Sequence, residues 1–478
     1  MGEILENKFS SRILIRFVKS LDVIGLTILF TAMWYDQYAN ELLTPFFRKG
    51  NWVVVALFAF IYFIIAHLYK SFAINISRIS ELIYCQTLSL LITEFIMYAV
   101  ILLINRRLIT PIPLIVVTIM QFCFIVIWCS LAHQWYFGRY KAQKTVIIWD
   151  ERTGVENLIK QYKMEGHFDV VNVIHVNDVI NNIPETLKDV NIVFMCDLHS
   201  HERNQIVKYC VATNKISYIL PRLGDAIMSG AEKMHLFHRP VLKVGRYNPT
   251  PEYLFVKRAI DIILSAIALI LASPIMLILA IIIKSDGGTA FYKQKRLTKN
   301  GKEFNVLKFR SMRMDAEKDG VARLSTGEKD DRITPVGKFI RAVRFDELPQ
   351  LINILRGDMS IVGPRPERPE ICKQYEEVLP EWPLRLQAKC GLTGYAQVYG
   401  QYNTTPYDKL MLDLMYIAKP SLAEDFKIIM ATVKILFLPE STEGIKEGST
   451  TAMDNENEVE SSDNCAEMVG NQDGLNEN

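Results

Sequence analysis

Long apolar blocks in the first third of the chain place the strongest limit on its fold. Four of them are present, at residues 12–34, 51–69, 83–105 and 110–132. Each has about the 20 residues that a helix needs to cross the hydrocarbon core of a bilayer. Tryptophan and tyrosine lie near the block ends, as in an aromatic belt at the membrane surface. The sequence therefore predicts a bundle of four transmembrane helices over residues 1–138.

Positive charges predict which way this bundle faces. Four crossings return the chain to the side on which it started, so both ends of the bundle share one side. That side carries the larger share of lysine and arginine: Lys8, Arg12, Lys70, Arg78, Arg139, Lys141 and Lys144, against Arg48, Lys49, Arg106 and Arg107 on the other. Cytoplasmic loops carry such an excess, so we expect both ends in the cytosol. Whether the bundle only anchors the chain or also supports dimerisation or lipid handling is left open.

Residues 139–250 have a different pattern. Short apolar runs, among them TVIIW and NIVFMCD, alternate with helical stretches such as GVENLIKQYKMEG. This alternation predicts a Rossmann-like α/β domain with a parallel sheet. The first strand leads into WDERTG and not into a G-x-G-x-x-G loop, so the glycines that cradle a phosphate are missing. A structural or regulatory role is therefore favoured over a dinucleotide site.

A fifth apolar block, residues 256–286, contains Ser273 and Pro274 near its middle. Proline lacks the backbone donor of a helix interior and clashes with the preceding turn, so the helix should kink or break there. A break at membrane depth would let the chain leave by the face through which it entered. We expect this re-entrant path, because it keeps the charged remainder of residues 251–438 in the cytosol. A kinked full span is the alternative.

Composition narrows the class of protein further. Of the 478 residues, 50% are hydrophobic and 22% are charged, which suits membrane helices joined to cytosolic domains. The eight cysteines include no C-x-x-C pair, so neither a zinc site nor a disulfide framework is indicated. Residues 439–478 are acidic and lack apolar periodicity, which predicts a disordered tail. We expect no nucleic acid partner.

Two adjacent acids, Asp346 and Glu347, open the stretch DELPQLINIL. The apolar residues that follow them repeat at i, i+3, i+4 and i+7, which is typical of an amphipathic helix. Pro349 is tolerated only in a first turn, so the pattern predicts a helix that starts at the acids. Asp346 would then suit the N-cap and Glu347 the first turn. The alternative is that the two carboxylates carry out chemistry.

A cationic segment lies just before these acids. Residues 291–317 hold eight lysines and arginines, and EFNVLKFRSM within them alternates as a strand would, with Lys308 and Arg310 on it. Downstream, Arg365 stands between two prolines, a rigid setting that suits bidentate recognition of phosphate. A solvated basic face, or lysines against anionic headgroups, is the alternative. Together these residues favour phosphoryl chemistry on a lipid, with one carboxylate as nucleophile and the other holding Mg²⁺.

Several long motifs carry a family resemblance. In chain order they are DGGTAFYKQKR, NGKEFNVLKFRSM, DDRITPVGKFIR, FDELPQLINILRGDMSIVGPRPE and GLTGYAQVYG. With them, residues 256–438 resemble the catalytic domain of the bacterial sugar transferases, also called polyprenyl-phosphate sugar-1-phosphate transferases. The preceding helices and α/β domain resemble those of the large-form members. The resemblance implies an α+β catalytic domain with a re-entrant membrane helix, whose break matches Ser273 and Pro274.

The resemblance also implies what the site residues do. Asp346 would be the nucleophile that takes a sugar phosphate from a nucleotide sugar, usually a UDP-sugar, with release of UMP. Undecaprenyl phosphate would then accept the group, as the first membrane step of exopolysaccharide, capsule or O-antigen synthesis. Glu347 would hold Mg²⁺. The phosphate-binding cations would be Lys308, Arg310, Arg341 and Arg365.

The same resemblance implies a bacterial inner-membrane protein with its catalytic domain on the cytoplasmic face, in contact with membrane lipids, and a homodimer. Two positions depart from the common family pattern: Arg344-Phe345 replaces Ser-Leu, with an expected effect on the sugar site, and Cys390 replaces a proline of a turn. A non-catalytic membrane scaffold or sensor is the alternative function. A transferase of the CDP-alcohol kind is not favoured, because its ladder of aspartates along spanning helices is missing. The sequence does not name the sugar.

Overall fold

The computed structural model describes residues 2–436, apart from 47–48, 75–76, 141, 152–153, 163, 286–287, 314–331 and 401–403, with side chains from residue 14 onward except at residue 161. Two compact units make up the chain, and they divide after Pro221. This division precedes the predicted end of the α/β domain at residue 250. The acidic tail predicted for residues 439–478 lies outside the described residues.

Four helices begin the first unit, with a short π-helix, Trp34–Tyr38, after the first of them. They are α1 Gly2–Met33, α2 Gly50–Leu68, α3 Ile79–Asn105 and α4 Ile112–Arg139. All four contribute to one apolar core, in which Phe30, Phe58, Met97 and Ile125 are fully buried. The rings of Phe30 and Phe58 stack with their centroids 4.2 Å apart. The four-helix bundle is therefore present as predicted.

Four described helices are long and apolar enough to cross a membrane. They are α2, α3, α4 and, in the second unit, α10 Pro251–Lys284. α1 is not one of them, because Arg16, Lys19 and Asp22 interrupt its described part. It packs with the other three through the common core. A membrane crossing by α1 therefore stays a prediction.

A four-stranded parallel sheet follows the bundle. Its strands are β1 Gln143–Trp149, β2 Phe168–His175, β3 Ile192–Cys196 and β4 Ile216–Leu220, in the order β2-β1-β3-β4. The helices between and around them are α5 Val155–Gln161, α6 Val176–Ile180, α7 Ile183–Thr186 and α8 Ser200–Ala212. Val146 and Ile148 pack into one core while Ile147 packs into another, so both faces of β1 are covered. The predicted α/β domain is confirmed, whereas its role stays a prediction.

The second unit mixes helices with two-stranded sheets. Its helices are α9 Leu223–Met228, α10 Pro251–Lys284, α11 Pro335–Ala342, α12 Gln350–Arg356, α13 Pro369–Val378, α14 Tyr395–Tyr399, α15 Pro406–Ala418 and α16 Leu422–Leu436. Antiparallel pairs form between β5 Glu232–Leu236 and β6 Arg239–Lys243, and between β7 Phe291–Leu297 and β8 Glu303–Phe309. A parallel pair joins β9 Ser360–Val362 and β10 Gly391–Thr393.

Helix α10 fixes the positions of α12 and β9 through two polar side chains. Arg258 donates hydrogen bonds of 2.6 and 2.8 Å to the carbonyls of Ile354 and Leu355. These carbonyls belong to the last turn of α12, where a helix has no internal donors to offer. Asp261 is buried and accepts from the Ser360 hydroxyl at 2.8 Å. The apolar helix is therefore bound firmly to the rest of the unit.

Helix α10 continues through Pro274 without ending there. Proline at this position cannot donate to the carbonyl of Ile270, four residues earlier. The Ser273 hydroxyl donates to that same carbonyl at 2.7 Å and so replaces the missing donor. The helix therefore does not end at Ser273 and Pro274, and the predicted kink or break in its path at these residues stays a prediction. A re-entrant path through the membrane stays a prediction.

Candidate active site

The two acids lie in a short 3-10 turn that precedes helix α12. The turn covers Phe345–Glu347, whereas α12 begins at Gln350 and has Pro349 as its N-cap. The predicted capping role of Asp346 is therefore wrong. Arg344 enters the turn with a left-handed φ of 56°.

Apolar neighbours hold this turn against the membrane-type helix α10. Phe345 and Leu348 pack in the same cluster as Met276 and Leu279 of α10. Asp346 lies between them and is itself buried, with 8% of its surface exposed. The acids are thus fixed beside an apolar helix instead of on an exposed loop. A site of this kind suits a reactant that is anchored in a membrane.

Lys308 of β8 reaches both carboxylates. Its Nζ lies 3.0 Å from Oε1 of Glu347 and 4.0 Å from Oδ2 of Asp346. All three side chains are largely shielded from water: counting side-chain atoms alone, 21, 17 and 12% of the surface is exposed for Lys308, Glu347 and Asp346. Shielding strengthens the attraction between opposite charges. Lys308 is therefore the cation most directly bound to the acidic pair.

The buried side chain of Asn353 joins the strand that carries Lys308 to the helix that follows the acids. Asn353 Oδ1 accepts from the backbone N–H of Leu307 at 2.9 Å, and its Nδ2 donates to the carbonyl of Asn305 at 2.9 Å. One amide thus satisfies two backbone groups of β8 that lack partners across the ribbon. These two bonds connect β8, which carries Lys308, to α12, which follows the acids.

Arg365 also approaches the acidic pair. It follows the acids in the chain and lies between Pro364 and Pro366. Its Nη2 lies 3.6 Å from Oε1 of Glu347, and 38% of its side chain is exposed. The exposed part of this guanidinium is accessible to a ligand. The structure therefore brings together Asp346, Glu347, Lys308 and Arg365, as the sequence predicts.

Burial and these positive charges give the two acids different pKa values. Burial raises the pKa of Asp346 above its ordinary value, although the ammonium of Lys308 opposes the rise. Burial would raise the pKa of Glu347 too, but the positive charges of Lys308, Arg365 and Arg344 outweigh it and hold that pKa well below its usual range. Two neighbouring carboxyls with separated pKa values suit two different roles. Asp346 is the more basic of the two.

The other predicted cations occupy different positions. Arg341 lies in the last turn of α11 and acts electrostatically to lower the pKa of Asp346. Arg310 is buried, and its Nη2 donates to the carbonyl of Ile283 in α10 at 2.8 Å. The predicted role of Arg310 in phosphate binding stays a prediction, while the structure directs its Nη2 to the end of α10. The position after β8 explains this, because Phe309 and Arg310 pack against that helix end.

The donor set at the acids fits a metal ion that is shared with a substrate. Within the described ranges, no group of three or more His, Cys, Asp or Glu side chains could hold a metal ion. Mg²⁺ commonly binds through one or two carboxylates together with substrate phosphates. Asp346 and Glu347 provide two carboxylates, so the residues fit Mg²⁺ in that mode and not in a site built from protein alone.

Some residues of the site leave little signal in the sequence. Asn353 occurs in an ordinary amphipathic helix, and nothing in LINILR marks its contact with β8. Arg344 appears in the sequence only as a departure from a common motif, although its charge acts on Glu347. Arg385 and Asp413 form a buried ion pair near Arg365. Asp413 interrupts the apolar positions of α15, and that interruption is the one signal that could have identified it.

Comparison with known proteins places this region in a family. The family model described as "Bacterial sugar transferase" matches residues 252–439. The chain is 34% identical to the UDP-N-acetylgalactosamine-undecaprenyl-phosphate N-acetylgalactosaminephosphotransferase of Aeromonas hydrophila over 239 residues, which cover 49% of this chain and 55% of that protein. The chain thus spans about half the length of this relative.

Two further relatives are covered over more of their length. The undecaprenyl-phosphate galactose phosphotransferase of Salmonella typhimurium is 39% identical over 328 residues, which are 62% of this chain and 68% of that protein. The UDP-glucose:undecaprenyl-phosphate glucose-1-phosphate transferase of Caulobacter vibrioides is 41% identical over 186 residues, which are 38% and 69%. The three names contain three different sugars and one shared acceptor, undecaprenyl phosphate.

Proposed function

The chain belongs to the bacterial sugar transferase family, and on this basis we propose that it is a phosphotransferase that moves a sugar 1-phosphate from a UDP-sugar to undecaprenyl phosphate. The observation that carries the proposal is the pair Asp346 and Glu347, enclosed by Lys308 and Arg365. A shielded carboxylate next to two fixed cations is suited to attack on a phosphorus atom.

In the first step, a carboxylate oxygen of Asp346 forms a bond to the phosphorus that carries the sugar. The bond from that phosphorus to the bridging oxygen of the diphosphate breaks, and UMP leaves with the electron pair. The product on the enzyme is an aspartyl phospho-sugar. The raised pKa of Asp346 supports its choice as nucleophile, because a more basic carboxylate donates electrons more readily once it is ionised.

In the second step, an oxygen of undecaprenyl phosphate attacks the same phosphorus. The bond to Asp346 breaks, the carboxylate returns to its starting state, and an undecaprenyl-diphospho-sugar leaves. The packing of Phe345 against Met276 of α10 supports this step, because it keeps the neighbouring Asp346 close to an apolar helix. A lipid-linked phosphate could approach along that helix without leaving the membrane.

The cations supply the charge that both steps need. Lys308 and Arg365 stand where they can neutralise oxygens of the transferring phosphoryl group, and Arg341 adds to the positive field. We assign Mg²⁺ to Glu347, which its lowered pKa keeps ionised and able to act as a ligand. When bound, Mg²⁺ would neutralise the phosphate oxygens of the nucleotide sugar.

The proposed location follows from the acceptor and the donor. The membrane-type helices suit the bacterial inner membrane, where a lipid-linked acceptor is available. UDP-sugars are cytosolic metabolites, so the catalytic unit would face the cytoplasm. A homodimer stays a proposal from the family resemblance. The product would start a lipid-linked glycan, such as a capsule, an exopolysaccharide or an O-antigen.

The experiment is a measurement of UMP release by the purified protein. It uses a panel of UDP-sugars, with and without undecaprenyl phosphate, in the presence of Mg²⁺ and again with EDTA. We expect release that depends on one or a few sugars, on Mg²⁺ and on Asp346, and that is lost in Asp346→Asn. Glu370→Gln, a change in an exposed acid of α13, is the matched control and should keep full activity. Full turnover by Asp346→Asn would contradict the proposal.

A further inference from the structure

The segment that carries Arg365 is held through its backbone carbonyls. Four consecutive carbonyls, of residues 364 to 367, accept hydrogen bonds from four different groups: the N–H of Gly391 at 2.9 Å, Nη2 of Arg385 at 2.9 Å, Nη1 of Arg296 at 3.2 Å and the N–H of Leu297 at 3.1 Å. Pro364 and Pro366 have no N–H to donate, so the carbonyls are the main means of fixing this segment.

The bond to Arg365 itself comes from the deeply buried side chain of Arg385. Arg385 lies in the 3-10 helix Trp382–Gln387 and has 2% of its side chain exposed. Its Nε donates to Oδ2 of Asp413 at 2.8 Å, and its Nη2 lies 2.6 Å from the same oxygen. The ring of Trp382 covers the guanidinium, with its centroid 4.4 Å away. Asp413 is equally buried, with 1% exposed.

The chemistry of this arrangement requires an arginine. A planar guanidinium can bind a carboxylate through Nε and one N–H of Nη2, while the second N–H of Nη2 donates to a carbonyl. A lysine can pair with Asp413 but has no fixed second donor for the carbonyl of Arg365. Replacing a buried ion pair by apolar residues is often neutral for stability, so stability alone does not account for the pair.

We propose that Arg385, oriented by Asp413, is a positioning residue that sets the backbone of Arg365 and thereby aims its guanidinium at the diphosphate of the nucleotide sugar. This proposal rests on the proposed function. Arg385 does not touch the reactants in this account. It acts through Arg365, whose own Nη2 lies 3.6 Å from Glu347. A shift of the carbonyl would move that guanidinium away from its place beside the acids.

A double-mutant cycle tests whether Arg385 acts through Arg365. The variants are Arg385→Lys, Arg365→Ala and the combination, assayed by kcat/KM for the UDP-sugar and by the Kd for UDP alone, which carries the diphosphate. We expect Arg385→Lys to lower kcat/KM about tenfold to 100-fold when Arg365 is present, the scale of a small misplacement of a binding group. In the Arg365→Ala background the same change should have almost no effect.

A matched control separates positioning from loss of stability. Lys257 and Asp425 form another shielded ion pair of the same unit, with 12 and 9% of their side chains exposed. Asp425→Asn should lower the thermal stability, but its effect on kcat/KM should be the same with and without Arg365. If Arg385→Lys fails to fold, the neutral double variant Arg385→Gln/Asp413→Asn takes its place in the cycle.

The outcomes distinguish the two proposals. UMP release by the wild type tests the proposed function. If the wild type releases no UMP, the proposed function fails, and the Kd for UDP remains as the readout of the double-mutant cycle. Equal effects of the Arg385 change in both Arg365 backgrounds, in kcat/KM and in the Kd for UDP, would overturn the positioning role. An effect of the Arg385 change that is present when Arg365 is present and absent in the Arg365→Ala background would establish the positioning role.

Discussion

The ammonium of Lys308 lies 3.0 Å from Oε1 of Glu347, in a setting where both side chains are largely shielded from water. The contact holds Glu347 ionised and places a positive charge within reach of Asp346 as well. Asn353 fixes the strand that presents Lys308, so the position of the charge is determined by backbone hydrogen bonds and not by a flexible loop.

Removing this charge should change both the rate and its dependence on pH. Asp346 must be ionised to attack, and Lys308 lowers its pKa against the larger effect of burial. A carboxyl with a raised pKa becomes protonated at a higher pH, so the wild-type rate should fall on the acid side above the ordinary aspartate range. In Lys308→Met we expect kcat to fall about 100-fold and the acid limb to move to still higher pH.

The measurement is the pH profile of UMP release for both proteins. Lys295→Met is the matched control, because Lys295 lies on the neighbouring strand of the same ribbon and pairs with Glu303 at the surface. It should leave rate and profile unchanged. If the rate falls at the same acidic pH in the wild type and in Lys308→Met, the claim that Lys308 lowers the pKa of Asp346 is contradicted.

The two acids should affect stability in opposite directions. Glu347 has a lowered pKa in the folded state, so it contributes stability above its unfolded pKa and loses it as the pH falls. Asp346 has a raised pKa, so its ionisation costs stability once the pH exceeds its unfolded pKa. At neutral pH, Glu347→Gln should cost about 1–3 kcal/mol, because it weakens the pairing of Lys308 and Arg365.

Asp346→Asn should instead preserve or raise the Tm, since it removes a buried charge beside Glu347. Thermal unfolding of both variants in detergent at neutral pH measures this difference. If Asp346→Asn lowers the Tm more than Glu347→Gln does, the assignment of the raised pKa to Asp346 and the lowered pKa to Glu347 is contradicted. An inactive but more stable Asp346→Asn protein would also illustrate the usual conflict between catalytic groups and stability.

The proximity of Asp346 and Glu347 to Lys308 and Arg365 could be predicted because these residues lie in short, continuous motifs, whereas their roles stay predictions. Asp346 and Glu347 are adjacent, and the prolines around Arg365 mark a rigid segment. The contact of Arg310 with the end of α10 could not be predicted, because a strand pattern does not show where a residue just past the strand end points. Asn353, Arg385 and Asp413 were missed because their partners are far away in the chain. The helical structure continues through Pro274, where Ser273 supplies the hydrogen bond that proline cannot make.

The path of α10 through the membrane gives a further prediction. In a background without the eight native cysteines, Glu252→Cys and Ser285→Cys would place single thiols at the two ends of the helix. A re-entrant path predicts that a membrane-impermeant maleimide labels both from the cytoplasmic side in inverted vesicles. Lys144→Cys and Arg106→Cys serve as controls for the cytoplasmic and the opposite side. Labelling of the two ends from opposite sides would establish a full span.

The covalent step on Asp346 is the central claim, and trapping the intermediate tests it most directly. The purified protein is incubated with Mg²⁺ and the UDP-sugar that releases UMP, without undecaprenyl phosphate, and its peptides are then analysed by mass spectrometry. A covalent mechanism predicts one sugar-phosphate adduct on the peptide that contains Asp346, lost when undecaprenyl phosphate is added and absent in Asp346→Asn. Turnover with no adduct on that peptide, or an adduct that persists in Asp346→Asn, would contradict it.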